Sequence, residues 1–223
     1  MQKNQEIELK LRITDDSLYE KIVAEKLLPE MNLTGEWQIL DFNTTYYDTR
    51  DYRFLQHGIS LRLRQSGEKY IATVKSSGTV QGGLHVRDEY NVELAEAAFS
   101  VQVFAGLPIY AQLVKIIDGE TLLPLFSTVF HRYAMDVTMP DNSEVNVALD
   151  RGKIVCGEKS EPLCEIELEL KSGDVSSLLK LGDTLSRHYP LVLENQSKYR
   201  RGLLLCGGLD LQEEVKKKAS KEY

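Results

Sequence analysis

The chain contains little of what would mark a secreted, zinc-binding or membrane protein. Its 223 residues include only three cysteines and four histidines. An odd number of cysteines without paired spacing does not form a disulfide framework, and ligands this few and scattered do not predict a structural zinc site. We therefore expect Cys156, Cys164 and Cys206 to be free thiols in a reducing compartment.

Long apolar segments and excess positive charge are also missing. No secretory leader opens the chain, and no uninterrupted apolar run approaches the roughly 20 residues that span a bilayer. Acidic residues outnumber basic ones, 34 against 27, which argues against a broad basic surface for nucleic acid. We expect a cytoplasmic protein, monomer or homodimer, that acts on a small molecule without a nucleic-acid or membrane partner. Any site that binds an anion must therefore be a local cluster of Arg and Lys side chains.

Short segments with period-two alternation are what the chain has in abundance. In QEIELKLRI, residues 5–13, Glu6, Glu8 and Lys10 lie on one face of a strand and the Ile and Leu residues on the other. The pattern recurs in CEIELELK at 164–171, and LRLR at 61–64 supplies the opposite charge. The sequence therefore predicts strands with one apolar and one charged face. The predicted strands cover 5–13, 39–49, 59–65, 69–76, 85–94, 124–139, 143–157 and 162–171.

Helical spacing accompanies these strands at the periphery. A helix is predicted over 14–28, two short helices over 95–117 and another over 174–190. We expect 191–205 to be an irregular strand or a loop leading into a strand. The fold class is α+β, dominated by one antiparallel sheet. A domain over 1–207 is followed by a charged tail or linker over 208–223.

The charged faces admit two interpretations. A solvated antiparallel sheet explains any one strand, since such sheets commonly face water on one side. It does not explain why acid-rich strands lie at the two ends of the chain and base-rich strands in the middle. If the sheet closes into a barrel, these faces line a polar tunnel. Carboxylates favour magnesium or manganese, and Arg and Lys favour phosphate oxygens, so the complement of such a tunnel is a metal-bound chain of phosphates.

An ordered set of motifs carries a resemblance to a known family. The ExExK strand, here Glu6, Glu8 and Lys10, is followed by LRLR, TVK, VRDEY, FHR, ALD, EIELEL and QSK. Over residues 5–205 the sequence resembles the CYTH superfamily, the triphosphate tunnel metalloenzymes. It is most similar to bacterial inorganic triphosphatases, whose tunnel domain often precedes a histidine-rich helical CHAD domain. These 223 residues hold no such second domain, so the chain is either a stand-alone version or a fragment.

The resemblance implies an eight-stranded antiparallel β-barrel that forms a polar tunnel covered by peripheral helices, with a linear triphosphate inside. It implies hydrolysis of inorganic triphosphate to pyrophosphate and phosphate, by water attack on a terminal phosphate assisted by Mg²⁺ or Mn²⁺. The implied metal ligands are Glu6, Glu8, Asp150, Glu165, Glu167 and Glu169. The implied phosphate ligands are Lys10, Arg62, Arg64, Lys75, Arg87, Arg132 and Lys198. Lys10, with Glu6 and Glu8, is catalytic by binding phosphate or orienting water, and Glu89 supports an arginine.

Other functions of the same tunnel stay open. A class IV adenylate cyclase would use a ribose hydroxyl as nucleophile, and a thiamine or nucleoside triphosphatase would differ at the tunnel mouth. A binding module without catalysis would be expected to lose acidic metal ligands. Glu6, Glu8, Glu165 and Glu167 are all present, which favours the enzyme.

Overall fold

The computed structural model describes residues 5–25, 36–76 and 78–207. The strands are β1 (Gln5–Ile13), β2 (Gln38–Asp48), β3 (Ser60–Ser66), β4 (Lys69–Lys75), β5 (Thr79–Gln81), β6 (Leu84–Leu94), β7 (Leu123–Thr138), β8 (Glu144–Cys156), β9 (Lys159–Ser172) and β10 (Leu191–Leu193). The helices are α1 (Asp16–Ala24), α2 (Arg53–Gln56), α3 (Tyr110–Ile117), α4 (Val175–His188) and α5 (Lys198–Leu205), with a 3-10 turn at Val101–Phe104.

Eight strands close into an antiparallel barrel. Their order is β1, β9, β8, β7, β2, β3, β4 and β6, and β6 pairs back onto β1. The two short strands add at the margins, β10 beside β1 and β5 beside β6. The predicted antiparallel barrel with peripheral helices is therefore confirmed.

The two largest hydrophobic clusters lie outside the barrel wall. Leu9 and Leu11 of β1 pack with Leu181 and Leu185 of α4 in one buried cluster. A second cluster joins β3 and β4 to α3 and the 3-10 turn. A Cβ on Gly182 would lie 2.2 Å from Leu9 Cδ2, so this glycine allows α4 its close approach. Each buried leucine stabilises the fold by about 1.5–3 kcal/mol. Because the outer faces of the strands supply this stabilisation, the inner faces can carry polar side chains.

The helix predicted over 14–28 begins as α1 at Asp16, after Asp15, whose side chain accepts a hydrogen bond from the Ser17 N–H. Its predicted end and the predicted tail 208–223 lie outside the described residues. The two short helices predicted over 95–117 are confirmed as the 3-10 turn and α3. None of the helices in the described part of the chain is both long and apolar enough to span a membrane.

The prediction for the last segment is wrong over most of its length. Only β10 is a strand, and α5 follows it as a helix. The Oγ atom of Ser197 accepts a hydrogen bond from the Arg200 N–H and caps the helix N-terminus. Helix α2 was also not predicted. It is held by the buried carboxylate of Asp48, which accepts hydrogen bonds from the Phe54 and Leu55 N–H groups.

The expectation of three free thiols is wrong for two of them. Cys156 at the end of β8 forms a disulfide with Cys206 just after α5. Their separation of 50 residues gives no local signal of pairing, because the fold alone brings the two chain segments together. Cys164 is free and half-buried, and packs against the core as predicted from its apolar strand face.

The disulfide should stabilise the protein by restricting its unfolded state. Closing a loop of this length is worth up to about 4 kcal/mol in the chain-entropy account. Cys206→Ser should therefore lower the guanidinium midpoint of unfolding under oxidising conditions, and a reducing agent should do the same to the wild type. Cys164→Ser is the matched control and should leave the effect of reducing agent unchanged. Equal midpoints for oxidised and reduced wild type would contradict a structural role for this bond.

Candidate functional site

A polar cavity of about 110 Å³ lies inside the barrel. Twelve of the fourteen residues predicted for the site, counting the supporting Glu89, line this cavity, and Asp150 and Glu165 do not. The twelve are Glu6, Glu8, Lys10, Arg62, Arg64, Lys75, Arg87, Glu89, Arg132, Glu167, Glu169 and Lys198. The predicted charged faces of the strands thus converge on one space.

The carboxylates of β1 are held by cations on neighbouring strands. Glu6 accepts hydrogen bonds from Lys75 Nζ at 2.7 Å and Arg87 Nε at 3.0 Å. Glu8 contacts the other end of the Arg87 guanidinium and lies 3.1 Å from Lys10 Nζ. Burial opposes the charge on Glu8, but the attraction of Lys10 prevails and lowers its pKa. The barrel closure produces this cluster, because Glu6 pairs in register with Arg87.

A second ionic cluster surrounds Lys198 at the start of α5. Its Nζ atom lies 2.7 Å from Asp150 Oδ2, 2.5 Å from Glu165 Oε1 and 2.9 Å from Glu167 Oε1. Burial opposes the ammonium charge, but these three carboxylates raise the pKa of Lys198. Oxygen atoms of the three acids lie within 4.8 Å of one another, a grouping that could hold a metal ion.

Arg132 joins this second cluster to the cavity. Its Nε and Nη2 atoms each lie 2.7 Å from an Asp150 oxygen, and Nη2 is 2.5 Å from Glu167. The carboxylates of Asp150 and Glu165 are fully buried behind these cations. Glu167 and Glu169 face the cavity. The six predicted metal ligands therefore divide into four that are accessible from the cavity and two that are sealed from it.

Glu89 lies between two cations, as its predicted supporting role requires. Its Oε2 atom is 2.8 Å from Lys75 Nζ and its Oε1 atom is 3.7 Å from Arg62 Nη2. Burial opposes its charge, but Lys75 and Arg62 lower its pKa. The distance to Arg62 is long, so the support it gives is electrostatic. Its function in the cavity stays a prediction.

Arg64 is a half-buried cation without an ion-pair partner among the described residues. Its Nε atom donates a hydrogen bond to Thr44 Oγ1 at 3.2 Å, and its guanidinium lies 4.3 Å from the centre of the Phe42 ring. Burial, together with repulsion from Arg62 and Arg132, lowers the pKa of Arg64 to about 9. The buried Nε of Arg62 has no hydrogen-bond partner, although Glu89 lies 3.7 Å from the same guanidinium. Among the described residues the charge of Arg64 is therefore not balanced by an ion pair, and an anion would neutralise it.

The sequence analysis missed several residues of the cavity wall. Tyr46 lines the cavity and stacks on Phe126 with ring centroids 4.6 Å apart. Tyr46 and Thr44 are two residues apart on β2 and therefore lie on the same face, and this spacing was the available signal in the sequence. Tyr199 lines the cavity from α5, where no helix was predicted. Ser60, Asn146, Ala148 and Ser197 complete the lining.

The closed eight-stranded antiparallel barrel, whose interior pairs carboxylates with arginines and lysines, defines the structural class of the protein. Comparison with known proteins makes the assignment specific. Residues 4–203 match the CYTH domain, and the chain belongs to this family.

A curated relative supports the same grouping. The inorganic triphosphatase of Haemophilus influenzae is 38% identical over 202 residues, which cover 90% of this chain and 55% of the relative. The chain thus spans about half the length of the curated relative it matches.

Solved structures show that the fold is shared. HpAC1 from Hippeastrum, described as a candidate adenylyl cyclase with a dominant triphosphatase activity, superimposes with a TM-score of 0.62 at 17% identity, covering 88% of this chain and 94% of its own. PH1819 from Pyrococcus horikoshii gives a TM-score of 0.57 at 18% identity, covering 89% and 98%. At these identities the likeness establishes the barrel architecture alone.

Two arginines of the cavity should respond differently to removal of their charge. Arg64→Met removes a half-buried cation that forms no ion pair with the described residues, so the free energy of unfolding should stay unchanged or rise. Arg132→Met leaves Asp150 and Glu167 without their partner and should lower it by about 3–5 kcal/mol. Denaturant unfolding in buffer without phosphate or divalent metal measures both changes. Equal destabilisation by the two variants would show that Arg64 has a compensating partner after all.

Proposed function

We propose that this chain is an inorganic triphosphatase that hydrolyses tripolyphosphate to pyrophosphate and phosphate with the help of a divalent metal ion. The observation that carries the proposal is the guanidinium of Arg64, which contacts Thr44 and the Phe42 ring but forms no ion pair with the described residues and lies in a cavity that also presents carboxylates. Such a site accepts an anion and a cation together. The activity of the Haemophilus relative supports the proposal.

The cations of the wall are the proposed substrate ligands. Arg62 and Arg64 both line the cavity, and guanidinium groups bind phosphate oxygens in bidentate fashion. Lys10 is fixed by contacts with Glu8 and Glu167. Its ammonium is placed to donate a hydrogen bond to a phosphate oxygen or to the attacking water. The other proposed ligands are Lys75, Arg87, Arg132 and Lys198.

The carboxylates that face the cavity are the proposed metal ligands. Glu6, Glu8, Glu167 and Glu169 offer the oxygen donors that Mg²⁺ and Mn²⁺ prefer. A bound ion would neutralise phosphate oxygens and lower the pKa of a water molecule.

The chain's own contribution to the reaction is position and charge. Arginines and lysines hold the triphosphate extended, so that a water molecule can attack a terminal phosphorus in line with the bond that breaks. The electron pair of that bond passes to the bridging oxygen, which leaves on pyrophosphate. The guanidinium groups stabilise the charge that develops there. No covalent bond to the protein is needed.

The substrate is tested by phosphate release with Mg²⁺ or Mn²⁺ from tripolyphosphate, ATP and thiamine triphosphate, with cyclic AMP assayed in the ATP reactions. We expect rapid release from tripolyphosphate, weak release from the organic triphosphates and complete loss with EDTA. Production of cyclic AMP would make the protein a cyclase. Tight binding of tripolyphosphate without turnover would make it a binding module.

Loss of a single cavity carboxylate should abolish turnover while leaving the fold intact. Glu8→Gln preserves the shape of the side chain but removes its charge, and should lower kcat by about 100-fold or more, because a metal contributes several kcal/mol to such reactions. The measurement is metal-dependent phosphate release together with circular dichroism. Glu144→Gln makes the same chemical change at an exposed position outside the cavity and should be silent. Full activity of Glu8→Gln would rule out the assigned role.

A cytoplasmic location is also part of the proposal. The disulfide between Cys156 and Cys206 is unusual for a reducing compartment, where thiols are kept free. Cell fractionation, with thiol alkylation before lysis, would establish both the location and the redox state of the pair.

A further inference from the structure

The ammonium of Lys198 occupies the centre of the buried carboxylate group. Its Nζ atom lies 2.5–2.9 Å from one oxygen each of Asp150, Glu165 and Glu167. A metal ion coordinated by these three acids would need the same space. The group therefore already contains its cation, and that cation is part of the chain.

Asp150 and Glu165 have no oxygen free for another ligand. Both Asp150 oxygens accept hydrogen bonds from Arg132, and one of them also contacts Lys198. Glu165 contacts Lys198 through Oε1 and Arg201 through Oε2 at 3.4 Å. The side chains of Asp150 and Glu165 are 0% exposed. Three acids, counting Glu167, are thus matched by four cations, Arg132, Lys198, Arg201 and Lys10.

We propose that Asp150 and Glu165 are positioning residues of the triphosphate site and not metal ligands. They hold the Lys198 ammonium and the Arg132 guanidinium at the cavity surface, where both can meet phosphate. The inference rests on the proposed function and separates the sealed acids from Glu6, Glu8, Glu167 and Glu169, which face the cavity.

The physical benefit is preorganisation. Lysine and arginine are long side chains that lose much conformational freedom on binding, and that loss is avoided when they are fixed before the ligand arrives. Lys198 is fixed on a second side by the Phe130 ring, 5.1 Å from its Nζ atom. Arg201 ties the same helix to the barrel through Glu161 at 2.8 Å and the Pro162 carbonyl at 2.6 Å. The helix cannot carry Lys198 away from the cavity without breaking these contacts.

Metal binding by the resting protein separates ligands from positioning residues. Mn²⁺ is titrated without phosphate, and free Mn²⁺ is followed by electron paramagnetic resonance. Asp150→Asn and Glu165→Gln should keep the wild-type stoichiometry and weaken binding less than Glu167→Gln does, which should cost about tenfold or more. Loss of a manganese ion in either buried variant, or weakening equal to that of Glu167→Gln, would overturn the proposal.

Tripolyphosphate binding in EDTA, measured by calorimetry, provides the second arm. Asp150→Asn and Glu165→Gln should each weaken binding about tenfold or more. Glu144→Gln is the control, because Glu144 is exposed and lies outside the cavity, and it should bind as the wild type does. In a Lys198→Met background the effect of Glu165→Gln should largely disappear, since the two residues act together. Unchanged binding in both buried variants would contradict the positioning role.

The two arms also distinguish failure of the inference from failure of the proposed function. Wild-type protein that binds Mn²⁺ but no tripolyphosphate would contradict the proposed function, and the manganese titration would still decide whether Asp150 and Glu165 are ligands. Unfolding curves identify variants that fold. Should Asp150→Asn not fold, Glu165→Gln gives the same test, because it leaves the Arg132 contacts in place.

Discussion

Charge compensation inside a closed barrel is the constraint on which this structure depends. Ionised groups removed from water are costly unless each finds a partner. The barrel meets this requirement strand by strand: Glu6 lies opposite Arg87 in register, and Asp150 lies opposite Arg132. Because such pairs roughly offset their own desolvation and add little net stability, the free energy of folding must come from elsewhere. The apolar clusters between the barrel and its helices supply it.

This division of labour explains why the interior can be specialised for a ligand. The outer faces of the strands satisfy the hydrophobic requirement, so the inner faces are free to vary in charge. Compensation is incomplete at Arg64, whose partners in the described part of the chain are Thr44 and the Phe42 and Phe130 rings, none of them a carboxylate. The protein thus carries an electrostatic cost that a bound anion would relieve. The polyanion binding that we propose would draw on the same imbalance that makes Arg64 unfavourable for folding.

The sequence was most informative where the physics is local. Period two assigned inward-facing charged residues to seven of the eight barrel strands, with β2 the exception, because alternation is a property of the extended chain itself. The alternation shows which face of a strand a side chain lies on, but not how deeply that side chain is buried. Asp150 and Glu167 both point inward, yet only Glu167 reaches the cavity, since Asp150 is covered by Arg132 and Lys198. The pairing of Cys156 with Cys206 was equally invisible, because it joins segments whose proximity is created by the whole fold.

The helical conformation of α5 shows why the last segment could not have remained a strand and still completed the site. Residues three apart lie on one face of a helix but on opposite faces of a strand. Lys198 and Arg201 have this spacing, and both contact Glu165. Gly202 follows, where a Cβ would lie 2.0 Å from the Phe126 ring, so the helix can press against the inner wall. Only a helix at this distance brings both cations to one buried carboxylate. The conformation of this segment is therefore decided by tertiary ion pairs, which the local sequence pattern does not show.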